Sequence, residues 1–174
     1  MPTHIRGGIS DTAPGQLMYE YAHLSPLRYY TYFNDFNTYT AADWTITTTE
    51  AGANSATEAL TDDSFGVLLV TCDIADNDND FFQKVGESFK FVAGKKLWFE
   101  IRFKVAEATQ IDFVAGLQIT DTSPLAVSDG VYFRKDDGDA LIDFVVMKDG
   151  TGTTASGIAT LADDTWVSLG FHYN

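Results

Sequence analysis

The sequence lacks several features that would indicate a particular class of function. Among 174 residues there is one cysteine, Cys72, so no internal disulfide can form. No apolar run reaches the roughly 18 residues of a membrane span, and the first residues lack the apolar segment of a secretory signal. Basic residues are scarce, since 11 Lys and Arg against 25 Asp and Glu give a formal net charge of -14. Such a surface repels phosphate backbones and anionic lipids, so neither nucleic-acid nor membrane-surface binding is expected.

The motifs of common catalytic sites are missing as well. The chain has no Gly-x-Ser-x-Gly, no His-Glu-x-x-His and no glycine-rich phosphate loop. Sandwich glycosidases need two carboxylates facing one cleft, whereas here Arg102 stands two residues after Glu100 in the clearest strand pattern. Cys72 ends an apolar run, which is typical of a small core residue and not of a nucleophile. The sequence therefore predicts that the protein is not an enzyme.

What the sequence does contain is an alternation of apolar and polar residues with a period of two. In 97–105, five apolar side chains face one side, and the residues between them, from Trp98 to Lys104, face the other. Asp137-Gly138 and Asp149-Gly150 are typical of hairpin turns. Further strands are expected at 44–49, 66–72, 89–92, 113–120, 131–134, 141–148, 156–161 and 166–173. Because no convincing helix accompanies them, the pattern predicts an all-β chain, either an antiparallel β-sandwich or a barrel.

Residues 1–33 differ from the rest, and we expect an irregular N-terminal arm ahead of a sandwich domain at 34–174. The arm has three of the four prolines, and its two arginines balance its two carboxylates, so 34–174 carries the whole charge of -14. It is also rich in rings, and such a segment lies either on its own sheet or on a neighbouring subunit. The rings expected to bind a partner are Tyr19, Tyr21, Tyr29, Tyr30, Tyr32 and Phe33.

The nearest approach to a metal site is a short acidic segment. Asp76, Asp78 and Asp80 alternate along the chain and Glu87 follows Asp76 by eleven residues, which resembles the spacing of a calcium-binding EF-hand loop. Position six of that loop is Phe81 instead of the required glycine, and no flanking helices are expected. A solvated acidic loop between strands is therefore the favoured interpretation, with calcium as the weaker alternative. No other cofactor is expected.

Several stretches of the predicted sandwich resemble known proteins. Residues 163–174, in which Trp166 opens an alternating run that ends in Tyr-Asn, resemble a strand of concanavalin A-like jelly rolls, and 96–105 resembles a long central strand of that fold. Strings similar to those of tailed-phage virion structural proteins, particularly from marine and cyanobacterial phages, occur at 81–89, 116–122 and 130–138. The resemblance covers roughly residues 34–174 and consists of strand and turn sequences, not catalytic signatures.

This resemblance implies a non-enzymatic role on the capsid surface of a virion, with a capsid decoration (cement) protein expected first. It implies binding to other virion proteins such as the major capsid protein, and a homo-oligomer with a trimer favoured. In such jelly rolls another hairpin follows the Trp-initiated strand, so the end at Asn174 predicts either a chain that lacks its last strands or a strand supplied from elsewhere, such as the arm. The alternative is a lectin-like module for host-surface adsorption, with Trp98 or Trp44 stacking on a carbohydrate. For Trp98, packing under the arm is the favoured expectation.

Overall fold

The computed structural model describes residues 30–50, 56–62, 66–72 and 78–174. These residues form β1 (Trp44–Thr49), β2 (Thr57–Asp62), β3 (Gly66–Thr71), β4 (Asn79–Lys84), β5 (Leu97–Phe103), β6 (Phe113–Gln118), β7 (Gly130–Lys135), β8 (Leu141–Lys148), β9 (Thr151–Thr160) and β10 (Val167–Tyr173). Two short 3-10 helices span Ala41–Asp43 and Pro124–Ala126. No α-helix occurs in these ranges, and none of their helices has the length and hydropathy to cross a membrane. The prediction of an all-β chain is confirmed.

The chain divides into two compact units. The first comprises Met1–Tyr39 with Glu58–Leu69, and the second comprises Thr40–Thr57 with Val70–Asn174. In the first unit, Gly66 begins β3 directly against the backbone of Phe36 and Asn37, where an added Cβ would overlap main-chain atoms. Glycine is required there because only a residue without a side chain permits this approach.

In the second unit a two-stranded layer packs on a four-stranded sheet. β5 pairs antiparallel with β10, while β6, β7, β8 and β9 are neighbours in sequence order and also pair antiparallel. Phe99 and Phe171 of the two-stranded layer stack on each other with ring centroids 5.2 Å apart, and they contact Phe133 and Phe144 of the sheet. The buried residues of this core are Val105, Ala108, Phe133, Ile142, Leu161 and Leu169. This two-layer packing is consistent with the expected β-sandwich, and the jelly-roll identity stays a prediction.

The opposite face of the four-stranded sheet is also covered. Tyr132 lies on that face, since it follows the alternation one residue before Phe133, and it is buried with Val127 and Val145 in a second cluster. The loop that contains Val127 is fastened to the sheet by Arg134, whose guanidinium donates to the Leu125 carbonyl at 3.1 Å. The sheet is therefore apolar on both faces near its middle.

The alternation located most strands of the second unit but misplaced three segments. β4 forms within the segment that was interpreted as a solvated acidic loop, and it pairs with β1, so that interpretation is wrong for Asp80. Residues 89–92, predicted as a strand, have no regular structure. β9 begins at Thr151 and is longer than the predicted strand at 156–161. Whether such a segment forms a strand depends on pairing with a distant strand, and a local sequence pattern does not contain that information.

Candidate functional site

Three of the rings predicted to bind a partner lie on exposed, irregular backbone in the first unit. They are Tyr30, Tyr32 and Phe33, with exposed fractions of 69%, 40% and 85%. The other three predicted rings, Tyr19, Tyr21 and Tyr29, lie outside the described residues. No charged residue occurs between Arg28 and Asp35. A phenylalanine has no polar group to hydrate, so its transfer from water into a partner contributes about 2 kcal/mol.

Local hydrogen bonds order the backbone next to these rings. The Asn34 side chain donates to the Tyr32 hydroxyl at 3.2 Å and accepts from the Phe36 amide at 2.8 Å. The Asn37 amide donates to Asp35 at 3.2 Å. Such side-chain bonds hold the chain away from helix or sheet pairing. They leave Tyr30, Tyr32 and Phe33, which we call the ring segment, presented to solvent.

A second exposed aromatic surface is the outer side of the two-stranded layer in the second unit. We call it the β5–β10 face, and its residues are Trp98, Glu100, Arg102, Trp166, Ser168, Gly170 and His172. The register sets Trp98 opposite His172. Trp98 is 40% exposed and stacks on His172, with ring centroids 4.7 Å apart and an interplanar angle of 17°. The predicted outward orientation of Trp98 is thus confirmed, and its cross-strand neighbour fixes the ring plane.

Trp166 lies at the other end of the β5–β10 face with two cations. The guanidinium carbon of Arg102 is 4.0 Å from the ring centroid, and the Lys104 ammonium is 5.3 Å from it. Each such contact contributes about 0.5–1 kcal/mol at an exposed site. Between the two tryptophans, Gly170 faces Glu100 across the strand pair and leaves a gap in the row of side chains. The face therefore combines flat rings with charged hydrogen-bonding groups.

Trp44, the other residue predicted to stack on a carbohydrate, is half-buried in β1. Its ring lies edge-on to Phe82 at 6.3 Å, and the Lys84 ammonium is 4.9 Å from the ring centroid. Because Trp44 is half-buried whereas Trp98 is exposed, Trp44 is a weaker candidate than Trp98.

The four carboxylates considered for calcium do not form a complete site in the described residues. Asp76 lies outside those residues. Asp80 accepts a hydrogen bond from the Thr48 hydroxyl at 2.9 Å, and exposed Glu87 forms an ion pair with Lys90 at 3.8 Å. Among the residues that the structure describes, no group of three or more His, Cys, Asp or Glu side chains could hold a metal ion. The calcium alternative therefore has no further support.

Cys72 is exposed, so its predicted place in the core is wrong. Partial burial of the thiol raises its pKa above the ordinary value, and the negative charges of Asp80, Asp78 and Glu50 raise it further. A higher pKa leaves less of the reactive thiolate at neutral pH. The raised pKa, caused first by partial burial and then by the carboxylates, thus makes the exposed Cys72 a weak nucleophile at neutral pH.

A shallow polar depression of about 230 Å³ lies on the four-stranded sheet, lined by Arg134, Asp136, Asp139, Leu141, Asp143 and Ser156. Its charged groups have local partners. Arg134 donates to Asp136, and Asp143 accepts from the Gly157 amide at 2.8 Å and from the Ser156 hydroxyl at 3.3 Å. These contacts stabilise the irregular part of β9 opposite β8, where the register shifts. The depression is explained by this structural role.

Comparison of the chain with protein-family models, curated proteins and solved structures finds no match. The features that bear on function are therefore the two exposed aromatic surfaces and the resemblance at 81–89, 116–122 and 130–138.

Proposed function

We propose that the protein is a non-enzymatic structural subunit of a tailed-phage virion, a capsid decoration (cement) protein that binds other coat proteins through the ring segment. The observation that carries the proposal is the exposure of Phe33, 85%, beside Tyr30 and Tyr32 in an uncharged stretch. Burial of the three rings in a partner such as the major capsid protein would contribute about 5 kcal/mol before the costs of association. The virion context comes from the resemblance at 81–89, 116–122 and 130–138.

The charge distribution suits this role. The net charge of -14 favours solubility of the subunit, while the uncharged ring segment loses little hydration when it is covered. Repeated attachment points on a capsid multiply weak individual contacts, so one short segment per subunit suffices. A homotrimer that assembles on the capsid surface, and so presents three ring segments together, is part of the proposal.

Simultaneous replacement Tyr30→Ala, Tyr32→Ala and Phe33→Ala is expected to weaken binding to heads by about 100-fold or more, because it removes the apolar area that docks. The melting temperature should change little, since exposed side chains contribute little to folding. Heads of the phage that encodes the chain, prepared without it, would be incubated with each variant and sedimented, and bound protein would be quantified by mass spectrometry.

The matched control is Trp98→Ala, because Trp98 has the same exposed fraction as Tyr32, 40%. This variant should bind heads like the original chain. Undiminished occupancy of the triple variant, or absence of the chain from purified particles, would contradict the proposal.

Carbohydrate binding at the β5–β10 face is the second candidate function. The observation that favours it is the exposed Trp98 ring, held in one orientation by the stack on His172. The apolar face of a sugar can stack on such a ring, and Glu100 and Arg102 lie beside it in the strand to bond hydroxyl groups.

On a glycan array, Trp98→Ala is expected to lower any reproducible binding by about tenfold or more, because the stacking surface is lost. The triple variant of the ring segment should bind glycans as the original chain does. The triple variant and Trp98→Ala therefore distinguish the two functions. An array on which the original chain binds no glycan would reject the lectin function and leave the capsid proposal standing.

A further inference from the structure

The edge strand β9 is the longest strand in the described residues, and it is open. It spans ten residues at the end of the four-stranded sheet, and no other described strand pairs with its outer edge. Residues 151–158 are all exposed. This includes Ala155, which lies opposite Phe144 of the core. β9 is therefore uncovered at its edge and along most of both faces.

The composition of β9 is unusual for an exposed edge. The thirteen residues 150–162 form the longest stretch of the chain without a charged residue, and they contain no proline. Natural edge strands are commonly protected by charges, prolines or bulges. β9 has one irregularity, where Gly157 has a φ of 65° and the register with β8 shifts. Its first five residues, Thr151–Ala155, pair regularly with β8 and lack any such protection.

The turn before β9 determines which backbone groups face the open edge. Asp149 and Gly150 have φ values of 51° and 73°, which are typical of a two-residue type I′ hairpin. In that hairpin Lys148 and Thr151 exchange hydrogen bonds, so by alternation Gly152 and Thr154 direct their N–H and C=O groups away from β8.

We propose that β9 pairs antiparallel with β9 of a second copy of this chain about a two-fold axis, which joins the two four-stranded sheets into one. Each copy carries a net charge of -14, so contact between copies requires a surface without carboxylates. β9 provides that surface, and antiparallel pairing of a strand with itself satisfies two-fold symmetry. The inference goes beyond the proposed function and does not depend on it.

The expected affinity follows from the size of the contact. The regular part of the strand, Thr151–Ala155, is roughly 17 Å long and a sheet is roughly 10 Å thick, so pairing covers roughly 170 Å² per copy. Stable complexes bury about 800 Å² per partner. A contact of this size is typical of weak, transient association, so the dimer is expected only at high protein concentration.

Sedimentation velocity of the full chain between about 5 and 500 μM measures this equilibrium. The sedimentation coefficient should rise with concentration to that of a dimer. Thr154→Pro removes the outward N–H and leaves the bonds to β8 intact, so it should raise the dissociation constant about tenfold or more. Thr154→Val keeps the N–H and the side-chain shape, and its dissociation constant should change less than about twofold.

A second pair of variants keeps the proposal falsifiable if Thr154→Pro does not fold. Thr154→Asp introduces a carboxylate at the contact in both copies and should weaken the dimer, whereas Thr45→Asp adds the same charge to an exposed position of β1 and should not. Equal dissociation constants for these two variants, a monomer at all concentrations, or a trimer would overturn the proposal. Head binding by Thr154→Asp is measured separately, so failure of the dimer and failure of the capsid function are distinguishable.

Discussion

Lys135→Met is expected to lower the free energy of unfolding by about 3 kcal/mol. Lys135 is 1% exposed, and its ammonium group donates to the carbonyl oxygens of Thr109, Ile111 and Asp136 at 3.2, 2.5 and 3.0 Å. Methionine has a similar length but no donor, so these carbonyls lose a bond. The Thr109 oxygen still accepts a hydrogen bond from the Gly138 amide at 2.7 Å. The loss of stability therefore comes chiefly from the carbonyls of Ile111 and Asp136.

Urea denaturation followed by circular dichroism measures this effect. Lys96→Met is the matched control, because Lys96 is exposed and the same substitution there should change stability by less than about 0.5 kcal/mol. A similarly small effect for both variants would show that Lys135 does not hold the loop around Thr109 to the end of β7.

Gly116→Ala is expected to cost about 3 kcal/mol of stability. Gly116 lies opposite Tyr132 in the β6–β7 pair, and an added Cβ would be 2.5 Å from the Tyr132 Cα and from the Val131 oxygen. Both contacts are with backbone, which cannot move aside as a flexible side chain would. Relief therefore requires β6 to shift relative to β7, which disturbs the buried cluster around Tyr132.

The control for Gly116→Ala is Gly86→Ala. Gly86 has a φ of 79° but no atom near the position of an added Cβ, so this change has the cost of backbone strain alone, about 1 kcal/mol. Thermal unfolding of both variants distinguishes the cost of steric overlap at Gly116 from the cost of backbone strain alone. If the two melting temperatures fall by the same amount, close approach at Gly116 is not the cause.

The sandwich strands were predictable where a local pattern carried the information. Alternation in β5 places Phe99 and Trp98 on opposite sides, and in the structure Phe99 packs against the core while Trp98 is exposed. The Asp-Gly pairs marked both turns around β8. β4 was not predictable in the same way, because its first residues, Asn79 and Asp80, favour loops locally and are held in a strand by pairing with β1.

Lys135 illustrates a second limit on predicting the structure from the sequence. Alternation puts it on the same face as Phe133, and nothing nearby in the chain explains a cation at a buried position. The explanation is three backbone carbonyls, two of them from a loop more than twenty residues away. A local sequence pattern contains no information about backbone groups that are distant along the chain.

The two candidate surfaces could be predicted from the sequence to different extents. Composition identified Tyr30, Tyr32 and Phe33 as a ring-rich stretch, but composition does not determine whether they are exposed. The pattern of β5 identified Trp98 as outward-facing, yet its stack on His172 depends on the register between strands 70 residues apart in the chain. Pairing register between distant strands is set by the whole fold and not by either strand.

The single surface thiol also has a practical consequence. A thiol-specific covalent probe attaches to this chain only at Cys72, so the labelled stoichiometry of an assembly would count its subunits directly. Partial burial and the nearby carboxylates raise the pKa of this thiol, so the probe attaches slowly at neutral pH and faster as the pH is raised.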